Sequence, residues 1–266
     1  MLPPQHPYRR AQRRRAATTA RAGGGFSPSQ VSAVTSWLRL ADSLEALDEW
    51  DEITDALDPV NPVLQPDTDR RAAVGASGNG LPTAVFDGTD VLVWGLVAGN
   101  NHTAKLGFWI WFKPASTASV QHLVAVVSPT ATAQKIDVYA NNAQVFCECY
   151  ISGVAGRFGR TGNVLSAGTW SAIYVQYDSS RGGDANLAIF HNGSSQSLTY
   201  GNLGAGGTLA ALPTVTGSAL IGGVTNSDTP SQPIANGGEL GPNLFVLNDN
   251  LTAGQIAALL AFEAPT

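Results

Sequence analysis

The sequence predicts an all-β protein, a sandwich of two antiparallel sheets with short helices near residues 28–40 and 253–262. Three observations lead there. From Leu81 onward apolar and polar residues alternate with period two, and Gly, Asn, Ser or Pro breaks the alternation at short intervals, as expected of strands buried on one face and joined by tight turns. The 29 glycines and 15 prolines among 266 residues exceed the usual share of roughly 12% for these two types, so turns are frequent and long helices scarce. Neither a Gly-X-Y period nor sustained heptads occur, which excludes collagen and coiled coil.

The elements follow in order. Ser27-Pro28-Ser29-Gln30 reads as a helix start with proline in the first turn, and Val31, Val34 and Leu38 continue at helical spacing. Residues 42–69 hold ten acidic residues and no Lys or Arg, and Asp58-Pro59 and Asn61-Pro62 favour turns. Residues 26–80 therefore read as a helix and an acidic, loop-rich connection leading to a sandwich over 81–266. Strands are expected at Thr83–Phe86, Val91–Leu96, Lys105–Lys113, Val120–Ser128, Gln134–Tyr139, Val145–Ile151, Thr169–Tyr177, Asn186–His191, Ala219–Gly222 and Asn243–Leu247. Leu251-Thr252-Ala253 then leads into a short amphipathic helix, Gln255–Phe262, with Ile256, Leu259 and Leu260 on one side.

Charge is sparse and uneven. Charged residues make up 13% of the chain, about half of the roughly 25% typical of globular proteins, so most of the surface is uncharged. The net charge of −5 conceals a basic segment: Arg9, Arg10, Arg13, Arg14, Arg15 and Arg21 fall in residues 1–25, which contain no acid. The other 241 residues carry 9 basic and 20 acidic groups, a net −11. Residues 1–25 combine Pro, Arg, Ala and Gly with few large apolar side chains and read as a docking arm. Three partners suit it: an acidic protein surface, the chain's own 42–69 segment, or nucleic-acid phosphates. A body at −11 repels nucleic acid, which favours docking on protein.

Cys147 and Cys149 lie one residue apart, too close for an unstrained bridge in a strand, and read as reduced thiols packed in a core. No metal site is expected, because no second Cys or His pair stands at ligand spacing. No apolar run reaches the roughly 18 residues of a membrane helix, and no secretory signal follows the N-terminal arginines. The expectation is a soluble protein made in a reducing compartment. Neither a Gly-x-Ser-x-Gly elbow nor a Lys-Ser/Thr phosphate loop occurs, and His6, His102, His122 and His191 have no evident Ser or Cys partner.

Alternation sorts the strands into two faces. Leu106, Phe108, Ile110, Phe112, Ile136, Val138, Val145, Cys147, Cys149, Ile151, Ile173, Val175 and Tyr177 form the expected core. The opposite set contains Trp109, Trp111, Tyr139, Phe146, Tyr150, Trp170 and Tyr174, interleaved with Asp137, Glu148 and Gln176. Aromatic faces beside hydrogen-bonding groups suit a second covered core, a protein interface or a glycan platform. On the last two readings Trp109, Trp111, Tyr139, Tyr150, Tyr174 and Gln176 are the contact residues.

Several segments together resemble the concanavalin A-like lectin/glucanase superfamily, especially its laminin-G-like members. They are Trp37-Leu38-Arg39-Leu40-Ala41-Asp42, Asn79-Gly80-Leu81-Pro82-Thr83-Ala84-Val85-Phe86-Asp87-Gly88, Gly107-Phe108-Trp109-Ile110-Trp111-Phe112, Gly168-Thr169-Trp170, Leu187 to Gly193, Ala219 to Gly223, and Leu251-Thr252 with Gln255-Ile256. The resemblance covers residues 80–262, more weakly 30–80, and implies a jelly roll. The first two segments are also similar to an arrangement found in phage and bacterial surface proteins, which implies a virion protein.

Glucanases of this superfamily carry two catalytic carboxylates and a helper at i, i+2 and i+4 of one strand. The nearest match, Glu49-Trp50-Asp51-Glu52-Ile53, has Ile53 at the third position, so no catalytic residue is expected. Many laminin-G-like domains bind Ca²⁺ through loops; Asn226-Ser227-Asp228, or Asp87 with Asp90, offers the oxygens, although such residues beside Gly and Pro are ordinary turn formers. Asn226 and Asp228 also stand as rim-loop contacts by analogy. The expectation is a non-enzymatic structural protein on the surface of a phage-like particle, in capsid decoration, tail or fibre, made in the host cytoplasm. It would be a homo-oligomer docked to other virion proteins through residues 1–25 and displaying its sandwich for decoration or glycan adhesion. A free carbohydrate-binding lectin is the alternative, and a glycoside hydrolase a third.

Overall fold

The computed structural model describes residues 26–40, 44–46, 49–53, 57, 63–65, 68–94, 102–127, 134–152, 155–204, 212, 214, 219–223 and 232–266. In chain order its strands are β1 (Val34–Arg39), β2 (Leu44–Ala46), β3 (Glu49–Ile53), β4 (Val63–Leu64), β5 (Ala73–Ala76), β6 (Pro82–Phe86), β7 (Leu92–Trp94), β8 (Lys105–Lys113) and β9 (Gln121–Val127). They continue as β10 (Gln134–Asn141), β11 (Gln144–Ser152), β12 (Ala155–Arg160), β13 (Ser171–Asp178), β14 (Leu187–His191), β15 (Ser194–Ser195), β16 (Thr199–Gly204), β17 (Ala219–Ile221) and β18 (Gly238–Leu247), followed by helix α1 (Ala253–Ala261).

Two antiparallel layers result. Sheet A runs β1-β18-β8-β13-β14-β15, and sheet B runs β16-β12-β11-β10-β9-β17-β7-β4-β3-β2. At one edge β6 pairs with the start of β18, β5 with β6 and β3 with β5, which closes the layers into a jelly-roll sandwich. The facing sides hold the core, with Phe86, Trp94, Phe108, Ile110, Phe112, Val138, Cys147, Val175, Tyr177 and Val246 all 0–1% exposed. Alternation is the reason: every second residue of β8, β10, β11 and β13 is apolar and faces inward. Both cysteines are buried free thiols there.

The sequence expectations meet the structure unevenly. The C-terminal helix forms at 253–261 and opens with a capping box: the Thr252 N–H donates to Gln255 Oε1 at 2.8 Å, and the Gln255 N–H donates to Thr252 Oγ1 at 3.3 Å. The helix expected near 28–40 is corrected. Only Pro28–Gln30 forms a 3₁₀ turn, and Val34–Arg39 is a strand paired with Asn243–Leu247. Val31, Val34 and Leu38 fit helical spacing, but β18 offers an open ladder that an extended segment with Val, Thr and Trp satisfies better. The acidic stretch expected as loop contains β2, β3 and β4, and β12 and β16, rich in Gly, Arg and Asn, went unpredicted because their alternation is broken.

Candidate functional site

The aromatic residues expected on one outward face lie on two opposite sides of the sandwich. Trp109, Trp111, Tyr174 and Gln176 belong to sheet A, and they are buried at 1%, 6%, 1% and 4% exposure. Ile256 and Leu259 of helix α1, Leu251 just before it, and Val31 and Val34 at the entry to β1 pack with the three aromatic rings in one buried cluster. The Tyr174 hydroxyl donates to Gln176 Oε1 at 2.6 Å, and burial pushes its pKa up to about 12. Their assignment as contact residues is therefore corrected: this outward face is a second core, built because α1 has an apolar side that must be buried.

Sheet B keeps Tyr139 and Tyr150 on a half-open outer face. The β10–β11 hairpin positions them, through a two-residue turn in which Asn142 and Ala143 both take positive φ, 48° and 63°. This register sets Asp137 opposite Glu148 and Tyr139 opposite Phe146. Glu148 receives both hydroxyls: Tyr139 donates to Oε1 and Tyr150 to Oε2, each at 2.6 Å. Burial, then hydrogen bonding to the Glu148 carboxylate, raises both phenol pKa values far above the usual range, so both remain donors. The Tyr139 ring stacks on Phe146 at 4.7 Å and 10°, Phe146 leads on to Phe158 at 6.1 Å, and Arg160 lies over Phe146 at 5.8 Å. Gly201 belongs to this arrangement, since a Cβ there would fall 2.5 Å from the Phe158 ring.

Behind Tyr139 sits a buried pair that sequence reading passed over. His122 Nδ1 is 2.8 Å from Asp137 Oδ1, Nε2 is 2.6 Å from Gln232 Oε1, and the ring lies 5.2 Å from Tyr139. Burial alone lowers the His122 pKa, but the hydrogen bond and charge of Asp137, with the Gln232 contact, outweigh it and raise the value above normal. Nδ1 donates to the Asp137 carboxylate, and when the ring is protonated Nε2 donates to the Gln232 amide oxygen. A cross-strand neighbour of the Asp137 strand was the available signal for His122. Gln232, 110 residues from it in sequence, gave none.

The remaining candidates are placed as follows. Arg9, Arg10, Arg13, Arg14, Arg15 and Arg21, and the rim residues Asn226 and Asp228, lie outside the described residues. Asp87 and Asp90 are committed to their turn: Asp87 Oδ1 accepts the Thr89 N–H and hydroxyl, each at 2.7 Å, and Asp90 Oδ2 accepts the Asp87 N–H at 2.8 Å. Among the described residues no group of three His, Cys, Asp or Glu could hold a metal ion, and no helix is long and apolar enough to cross a membrane.

No known family profile matches the sequence, and no curated protein matches it. Solved structures do match. The receptor-binding domain of botulinum neurotoxin type G superposes with a TM-score of 0.56 at 9% identity, over 86% of this chain and 51% of that one. The ligand-binding domain of botulinum neurotoxin serotype D, solved with N-acetylneuraminic acid, gives 0.52 at 8%, over 87% and 51%. A Trypanosoma rangeli sialidase, solved with sialic acid, gives 0.54 at 13%, over 86% and 32%. The chain thus spans about half of the toxin domains and about a third of the sialidase. At such identities the likeness concerns fold, and the chain shares with these proteins a two-layer jelly-roll β-sandwich.

Proposed function

We propose that the chain is a carbohydrate-binding domain without catalytic activity, using the outer face of sheet B. One observation carries this reading: a carboxylate held by two tyrosine hydroxyls in a stacked aromatic ladder on a face that no described helix or strand covers, while the matching face of sheet A is sealed. Tyrosine and phenylalanine rings stack on the C–H faces of pyranose rings, and Glu148 accepts from sugar hydroxyls. That two of the similar structures were solved with sialic acids supports a glycan-binding reading of this fold. The test is a glycan array and calorimetry on the full chain. Glu148→Ala and Tyr150→Ala should lose the signal that Trp109→Phe keeps, and a folded wild-type chain that retains no glycan overturns the reading.

The finer reading is a concanavalin A-like subunit displayed on a phage-like particle and anchored by the arginines of residues 1–25. Phe26 packs edge-on against Phe262 at 6.0 Å, and Phe262 against Trp37 at 5.6 Å, on the sheet A side. Phe26, where residues 1–25 join the described residues, sits on the sheet A side, opposite the face proposed for adhesion. Deleting residues 1–25 should abolish incorporation into particles and leave the sandwich folded; unchanged incorporation refutes the anchoring.

A further inference from the structure

We infer that Gln232 is a ligand-contacting, specificity-determining residue of the sheet B face, with its amide held in place by the His122–Asp137 pair. The inference rests on the glycan-binding reading and deepens it. Gln232 is exposed, yet its side chain is held, with Oε1 2.6 Å from His122 Nε2. Its carbonyl accepts the His122 N–H at 3.1 Å, and the residues that follow are fastened too, the Ile234 N–H donating to Gly222 O at 2.8 Å and the Ala235 N–H to Gln121 Oε1 at 3.0 Å. Gln232 also takes a φ of 52°, in the left-handed region that a residue with a side chain occupies at some cost. Strained, exposed residues fastened this firmly concentrate at ligand sites.

The hydrogen-bond inventory says what the residue offers. With its ring protonated His122 donates through Nε2 to Gln232 Oε1, and the two amide N–H groups are left as donors without a partner among the described residues. Orientation comes from behind. Asp137, 2% exposed, accepts from Nδ1, so when the ring carries both protons Nε2 donates to the amide oxygen and turns it inward. The face then presents an acceptor, Glu148, and a donor, the Gln232 amide, connected through Tyr139, whose ring lies beside His122 and whose hydroxyl reaches Glu148. Such a pairing recognises a neutral pyranoside lying on the aromatic ring, donating a hydroxyl proton to Glu148 and accepting at a ring, hydroxyl or acetamido oxygen from Gln232. Gln232 is the contact, and His122 and Asp137 are positioning residues.

Gln232→Glu tests this directly, because a carboxylate retains the acceptor for His122 and removes the N–H donors. A glycan array carrying neutral and sialylated pyranosides is probed with the full wild-type chain, with Gln232→Glu and with Gln232→Ala, alongside thermal melting. The expected result is an unchanged or higher melting midpoint for Gln232→Glu, and an affinity loss of about 2- to 10-fold for both variants, the usual consequence of deleting one neutral ligand hydrogen bond. Wild-type affinity should also fall as pH rises through the titration of His122, faced by Asp137 from β10 and Glu148 from β11, and that fall should disappear in Gln232→Ala. Full-strength binding by a folded Gln232→Glu overturns this inference alone. A folded wild type that binds no pyranoside overturns the glycan-binding reading and this inference with it.

Discussion

Replacing Trp109 by alanine separates the two readings of the aromatic residues. Trp109 is 1% exposed, stacks on Tyr174 at 6.1 Å, and pairs through its strand with Tyr174 and Phe245. Truncating a core tryptophan to alanine costs about 3–5 kcal/mol, from lost transfer energy and the cavity left behind. One term opposes this: the Trp109 indole N–H is buried without a partner among the described residues, and losing such a donor relieves about 1–3 kcal/mol. A net loss of about 2 kcal/mol is expected, which lowers the melting midpoint of a domain this size by about 4–8 °C. Trp109→Phe keeps the stacking and removes the stranded donor, so it should stay within about 1 kcal/mol of wild type. Urea unfolding followed by far-ultraviolet circular dichroism measures both. A Trp109→Ala chain that loses under about 1 kcal/mol while glycan binding disappears would refute the covered-core argument and return Trp109 to the surface.

Three further outcomes are expected. Because the His122 pKa is raised on folding, its contribution is fully present below about pH 6.5 and is lost as pH rises through the folded-state value; urea midpoints measured from pH 5 to 9 should fall across that window, and Asp137→Asn should cost about 3–5 kcal/mol and flatten the profile. Gly222→Ala should destabilise by about 2–5 kcal/mol, since φ is +86° and the new Cβ would lie 2.1 Å from the ring of Phe86, itself 1% exposed; failure to see this in urea unfolding would mean that the turn relaxes. Glu263 accepts from Arg39 Nε and Asn243 Nδ2, each at 3.2 Å, and ties the C-terminal residues to β1 and β18. Glu263→Gln should cost about 1–2 kcal/mol in the same assay.

Much of the fold was legible because a strand buried on one face writes its period into the sequence. β8, β10, β11 and β13 were found by their alternation, with Phe108, Val138, Cys147 and Val175 inward as expected. The segment before residue 81 was harder. Val31, Val34 and Leu38 read as a helix by spacing, and the ladder that Asn243–Leu247 offers makes Val34–Arg39 a strand instead.

The site divides along the same line. Periodicity alone determined that one set of aromatic rings and carboxylates points outward from the strands, that Cys147 and Cys149 point inward, and that a short amphipathic helix follows Leu251-Thr252-Ala253. Alternation says which residues share a side of one strand; it does not say which sheet that strand joins or what then lies over it. The packing of α1 onto sheet A decided that Trp109, Trp111 and Tyr174 are core, and left Tyr139, Glu148 and Tyr150 half-open on sheet B. His122, Asp137 and Gln232 meet only when a strand, its neighbour and a distant loop are folded together, because hydrogen bonds act over a few ångströms and the chain brings these residues within that range only in three dimensions.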